Sequence, residues 1–164
     1  MSALAALERW LARALAALAC LALALMMLHV TADVALRTLA GQPLTGTIET
    51  VSYYYMVLAV FLPLAWVERR GEHIRVDLFV QLLPAGAQLA LYLFACLLGA
   101  LFFGAMAWQS TLDALRATRG LETIMSNYLF YIWPARWALP LGLWAAVLAV
   151  LANAARALTR RQAL

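Results

Sequence analysis

Charged residues divide this chain into apolar stretches, and the lengths of those stretches predict its elements. A bilayer core of ~30 Å is crossed by ~20 apolar residues in helical conformation. Residues 14–32 are uncharged. So are residues 50–67, although three successive tyrosines (Tyr53, Tyr54, Tyr55) and Pro63 make them the more amphipathic piece. Leu78 to Leu112 is uncharged as well, but too long for one crossing. Pro84 splits it, because a proline ring clashes with the preceding helical turn; a short lead-in remains, then a long helix over 85–112 that must tilt. The last span covers 137–155, with Arg136 at its mouth, Trp133 and Trp137 beside it for snorkelling, and Pro140 as an expected kink. The pattern therefore predicts one all-α integral membrane domain, residues 1–164, with four transmembrane helices.

Composition supports that class. Of the 164 residues, 66% are hydrophobic and 12% charged, against roughly a quarter charged in soluble domains, and the mean hydropathy is +0.86. All twelve basic residues are arginine. They are scattered between apolar runs with no basic face or helix, which disfavours nucleic acid and makes phospholipid headgroups their natural partner. Arg9 and Arg13 ahead of an apolar run, with Ala22-Leu23-Ala24 resembling a cleavage site, also fit a signal peptide. The run continues to Ala32, which favours a retained anchor.

Four crossings return the chain to its starting side. That side carries Arg9, Arg13, Arg69, Arg70, Arg75, Arg156, Arg160 and Arg161, whereas the other carries Arg37, Arg116, Arg119 and Arg136. Positive residues stay in the cytoplasm, so both termini and the connection between the second and third spans are expected there.

That connection holds the densest charge, seven ionisable side chains in the ten residues from Glu68 to Asp77, Arg70 and His73 among them. Asp77 can cap a short amphipathic helix in "VDLFVQLLP" lying on the inner headgroup surface; the plain alternative is a solvated loop whose mixed charges pair among themselves. His29, Asp33 and Arg37 recur every four residues and share one helix face, the simplest reading being an Asp33–Arg37 pair with His29 as a satisfied polar residue. Glu49, in "GTIET", sits in the first turn of the second span, where a carboxylate either stabilises the helix end or bonds to a neighbouring subunit. Ala95 with Gly99 and Ala100 with Gly104 offer a weak close-approach face. Cys20 and Cys96 read as buried free thiols, since neither has a C-x-x-C or metal-ligand neighbour.

No Asp, Glu, Lys or Arg lies mid-way through any of the spans, whereas an ion-coupled carrier usually needs an intramembrane carboxylate or a broken helix. Nor is there a nucleophile–base pair, a P-loop or a metal cluster. The chain therefore reads as a membrane scaffold or partner subunit rather than an enzyme, with no catalytic, metal or cofactor site. Two rivals stay open: a stand-alone exporter of the small multidrug type, which should show a mid-span glutamate, and the membrane anchor of a respiratory enzyme, which should show paired histidines or cysteines.

Arg37 after the first span, "GTIE" opening the second, "ERRGEHIRVDLFVQLLP" after it and "YIWPARWALPLG" opening the fourth together resemble the small membrane subunit of tripartite ATP-independent periplasmic (TRAP) transporters, the DctQ family. The resemblance covers nearly the whole chain and is most specific at His73, Ile74, Val76 and Asp77, followed by Leu83-Pro84. Where family members often carry two adjacent acids, this chain has Ile48-Glu49. The resemblance implies a bacterial inner-membrane location and a large membrane subunit of the DctM type holding the substrate and sodium sites. It further implies a periplasmic binding protein delivering an organic carboxylate. Arg37, Glu49, Arg70, His73, Asp77 and Arg136 then become candidates for subunit-interface or structural roles.

Overall fold

A computed structural model describes residues 2–71, 80–125 and 128–160. Four of its helices are long and apolar enough to cross a membrane: Ala6–Ala40, Thr47–Arg70, Ala85–Arg119 and Trp133–Thr159, called here the first to fourth spans. Two extend well past their apolar cores. The first helix begins at Ser2 and the third runs on to Arg119, because the flanking segments are rich in Ala, Leu and Arg, all strong helix formers. The third, of 35 residues, is about 52 Å long at 1.5 Å per residue. That exceeds the ~30 Å hydrocarbon core, so a tilt or an extension into the headgroups is unavoidable.

Glycines in the left-handed conformation bracket the second span, Gly46 at φ 90° before it and Gly71 at φ 65° after it. A side chain at Gly46 would be strained by that backbone, and its Cβ would also displace the end of the Tyr128 side chain. Within the span, Val51–Tyr55 form one wider π-helical turn and the helix breaks at Leu62-Pro63 before resuming as Leu64–Arg70. Pro63 has no N–H to continue the ladder, but its carbonyl takes up Trp66 N and Val67 N at 2.9 and 3.1 Å, so the next segment starts cleanly.

The fourth span breaks at a different place from the one the sequence indicates. Its interruption falls at Trp137, between Trp133–Arg136 and Ala138–Arg160, and not at Pro140. Pro140 lies in the first turn of the longer helix, where a missing N–H leaves no bond unmade.

A core of Ala12, Leu15, Ala19, Leu62, Ala65, Ala138, Ala145 and Ala149 joins the first, second and fourth spans. Six of these eight are alanines, so the backbones come close and packing rests on short-range dispersion. Gly142 carries this furthest: a Cβ there would collide with the Phe61 carbonyl oxygen and lie 2.6 Å from its carbon, so the fourth span presses onto the backbone just ahead of the Pro63 break. The third span packs mainly on the fourth. It buries only Ala107, Ser110, Ala114 and Ala117, all in its later half. Gly99 and Gly104 have open space where a Cβ would stand, so among the described residues no helix packs on the small-residue face expected there.

Between the third and fourth spans the chain forms an antiparallel hairpin that span lengths did not reveal, β1 (Thr123–Met125) with β2 (Leu129–Tyr131), in the register Thr123↔Tyr131, Ile124↔Phe130 and Met125↔Leu129. Cys20 is exposed on the first span and Cys96 partly so; neither is joined in a disulfide, and the expectation of burial fails for Cys20, which faces away from the core. Of the amphipathic surface helix expected around Asp77, the described part is a single 3-10 turn at Val80–Leu82, and Asp77 itself lies outside the described residues.

Candidate functional site

Polar chemistry gathers at the two ends of the bundle. At the end bearing the first connection and the hairpin, Asp33 is 5% exposed although it is a carboxylate. Its Oδ1 accepts the Leu44 amide at 2.7 Å and its Oδ2 accepts Arg37 Nη2 at 3.1 Å. One side chain of the first span thereby holds down the loop that leads into the second. The same helix face presents His29, whose rings stack edge-on with Tyr55 at 5.9 Å. His29 Nε2 lies 3.4 Å from Thr47 Oγ1, which donates to Leu44 O at 3.2 Å, and His29 Nδ1 lies 3.5 Å from the Tyr55 hydroxyl, so the imidazole bridges the start of the second span and its π-turn. The π-turn aims the two neighbouring tyrosines apart, Tyr55 at His29 and Tyr54 at the hairpin, where its hydroxyl donates to Tyr131 O at 2.7 Å and its ring meets Phe130 edge-on.

The hairpin then brings together residues that are distant in sequence. The third helix closes with Leu121 N to Thr118 O at 3.3 Å and Glu122 N to Ala117 O at 2.9 Å, which places Leu121 in the left-handed region at φ 45° and turns Glu122 back over the helix end. Ile132 N donates to Glu122 O at 3.0 Å, extending the ladder. Arg136 opposes Glu122 through two bonds, Nη2 to Oε1 at 2.8 Å and Nε to Oε2 at 3.2 Å. With the Arg116–Asp113 pair at 2.6 Å they border an open recess of about 530 Å³, lined by two arginines and two carboxylates and so without net charge. Trp137 Nε1 to Thr118 Oγ1 at 3.0 Å and Trp144 Nε1 to Thr111 Oγ1 at 3.2 Å fasten the third span to the fourth below it.

The opposite end joins the other three spans. Arg69 Nε lies 3.3 Å from Glu8 Oε1, an ion pair between the second and first spans in which neither of these two buried atoms has hydrogen-bond geometry. Buried Asn153, on the fourth span, donates from Nδ2 to Glu68 O at 2.9 Å and to Glu68 Oε1 at 3.1 Å, and accepts Arg156 Nη2 at 2.5 Å. The start of the first span and the end of the fourth thus meet the end of the second. Arg70 stacks over the Trp66 ring at 4.6 Å.

Four of the six sequence candidates now have a place. Arg37 is bound to Asp33, Glu49 stands half-buried in the first turn of the second span, Arg70 lies on Trp66, and Arg136 is held by Glu122. His73 and Asp77 lie outside the described residues. The structure does not gather the four described candidates into one site. It gives Asp33, already expected to pair with Arg37, a second role as a loop staple, and it adds residues that the sequence did not single out: Glu122, Asn153 and the Glu8–Arg69 pair. Among the described residues, no group of three or more His, Cys, Asp or Glu side chains is placed to hold a metal ion.

A bundle with polar ends and an apolar middle is what a membrane frame requires, and comparison with known families decides which frame it is. The DctQ component of tripartite ATP-independent periplasmic transporters matches residues 26–160. The chain belongs to the DctQ family. No curated protein and no solved structure matches it. As a DctQ protein it is a multi-pass membrane component of a transporter, and the matched region contains the buried Asp33 staple, the hairpin, the Glu122–Arg136 clamp and the Asn153 junction.

Proposed function

We propose that this DctQ protein is the static membrane scaffold of a sodium-coupled TRAP transporter in the bacterial inner membrane, bound to a large DctM-type subunit that carries the substrate. A periplasmic binding protein delivers an organic carboxylate to that pair, and both termini of this chain lie in the cytoplasm. The observation that carries the reading is the distribution of charge. The ionic contacts that join its spans lie toward their ends, and no charged side chain stands midway along any span to replace the hydration of a charged solute. Such a chain conducts nothing alone, but a moving subunit needs a fixed frame to move against. In this reading Arg37, Glu49, Arg70, His73, Asp77 and Arg136 hold structure or the contact with the large subunit, and none touches substrate.

Proteoliposomes containing this chain alone, the large subunit alone or both, each with binding protein, carboxylate and a sodium gradient, test the division of labour. Uptake is expected only from the pair. Transport by this chain alone overturns the scaffold reading, and full transport by the large subunit alone shows the scaffold to be dispensable.

A further inference from the structure

The end of the bundle bearing the chain termini has more positive charge than its carboxylates balance. The Glu8–Arg69 contact at 3.3 Å and the Asn153–Glu68 bonds at 2.9 and 3.1 Å draw the first, second and fourth spans together there. Arg156, Arg9 and Arg13 all add their fields at Arg69, opposed by Glu8. Glu8 and Glu68 are engaged at this junction, so Arg9, Arg13, Arg69 and Arg156 leave a local surplus of positive charge. Arg9 and Arg13 are exposed, stand one helical turn apart on a single face, and among the described residues neither is paired with a carboxylate.

Their surroundings say what kind of anion fits. Trp10, 69% exposed, sits between them in sequence at the depth where indoles prefer the headgroup boundary. Further along the helix, on the same face as Arg9 and Arg13, Leu23 and Met27 are exposed and apolar. A soluble phosphate would use only the guanidinium groups. A diacyl phospholipid uses both parts, its phosphodiester between paired arginines and its chains along Leu23 and Met27.

We propose that this face binds an anionic phospholipid, with the headgroup phosphate between Arg9 and Arg13 and the acyl chains along Leu23 and Met27. The bound lipid offsets the local surplus of positive charge and lies beside the junction of the three spans. This goes beyond the scaffold reading and does not depend on it, since it concerns the chain by itself.

Native mass spectrometry of the full chain in a neutral detergent tests it, with phosphatidylglycerol, phosphatidylethanolamine and glycerol 3-phosphate titrated separately. Phosphatidylglycerol is expected to be retained well above phosphatidylethanolamine, and glycerol 3-phosphate not to displace it. The double substitution R9Q/R13Q should weaken phosphatidylglycerol retention about thirty-fold, from two arginines near an anionic surface. R9K/R13K should keep most of it, which separates loss of the site from loss of the fold, and R119Q at the opposite end should leave it unchanged. Equal retention of both lipids, unchanged retention by R9Q/R13Q, or displacement by glycerol 3-phosphate would each overturn the proposal.

Discussion

The third and fourth spans are both long, apolar helices, yet over their most apolar stretches 56% of the fourth is buried within the protein and only 6% of the third. The third is the more apolar of the two. Hydropathy therefore does not decide which helix becomes the centre of the bundle. In a membrane the surrounding lipid is as apolar as a leucine side chain, so association depends on how closely backbones approach and on the polar groups that hook them together. The fourth span has both: buried Ala138, Ala145, Ala146, Ala149 and Ala157, and Asn153 reaching Glu68. The early half of the third carries large side chains such as Leu91, Phe94, Leu97 and Phe102, all exposed, and no buried residue before Ala107.

Glycine substitution should break this contrast most sharply. Gly142→Ala drives a Cβ into the Phe61 carbonyl, rigid backbone that cannot rotate away, and should cost about 3 kcal/mol or prevent assembly of the bundle. Gly99→Ala meets open space and should be neutral or stabilising by up to about 1 kcal/mol, since alanine is the better helix former. Unfolding of both variants in mixed micelles checks the pair. Similar costs at the two sites would mean that the third span is packed as tightly as the fourth.

A smaller effect is expected at the polar hooks. Asn153→Ala removes both bonds to Glu68 and the acceptor for Arg156, leaving buried polar groups without partners, and should cost about 2 kcal/mol. On the third span Gln109 reaches only Asp113 of its own helix, at 3.3 Å and in the open, so Gln109→Ala should stay within about 0.5 kcal/mol. Thermal melts in one detergent compare them. An Asn153 variant as stable as the parent would remove the polar hook from the explanation of the fourth span's burial.

How much of this was legible before folding follows from the range over which each feature acts. The four spans were, because a bilayer imposes a length that can be counted along the chain. The Asp33–Arg37 pair was too, being four residues apart on one helix. Span ends were not, because Glu8, Arg9 and Arg13 look like boundaries by charge yet continue the first helix by propensity. Asp33 reads as half of a surface pair until the Gly41–Gly46 loop folds back and gives it the Leu44 amide. Arg136 reads as a snorkelling arginine until the hairpin closes the fourteen-residue gap to Glu122. Gly142 reads as a loss of helix propensity until Phe61 is beside it. Each of these depends on a contact between segments that no local pattern encodes.

The smallest effect concerns the contacts between the two spans themselves. Trp144 Nε1 donates to Thr111 Oγ1 at 3.2 Å, and that hydroxyl in turn donates to Ala107 O at 2.6 Å, so its lone pair is free for the indole and its proton is already placed. Trp144→Phe keeps an aromatic ring and loses the donor; Thr111→Val keeps the branched shape and loses the acceptor. Interhelical hydrogen bonds in membranes couple weakly, because the separated helices find other partners, and a double-mutant cycle on this pair should return about 0.6 kcal/mol. The third span is thus held by shape in its later half and only lightly by this bond. A coupling near zero would leave Trp137–Thr118, at 3.0 Å, as the polar fastening between the two helices. A coupling of about 2 kcal/mol or more would mean that the hook outweighs the alanine packing of Ala107, Ala114 and Ala117, reversing the order in which close approach and polar contact rank for this helix.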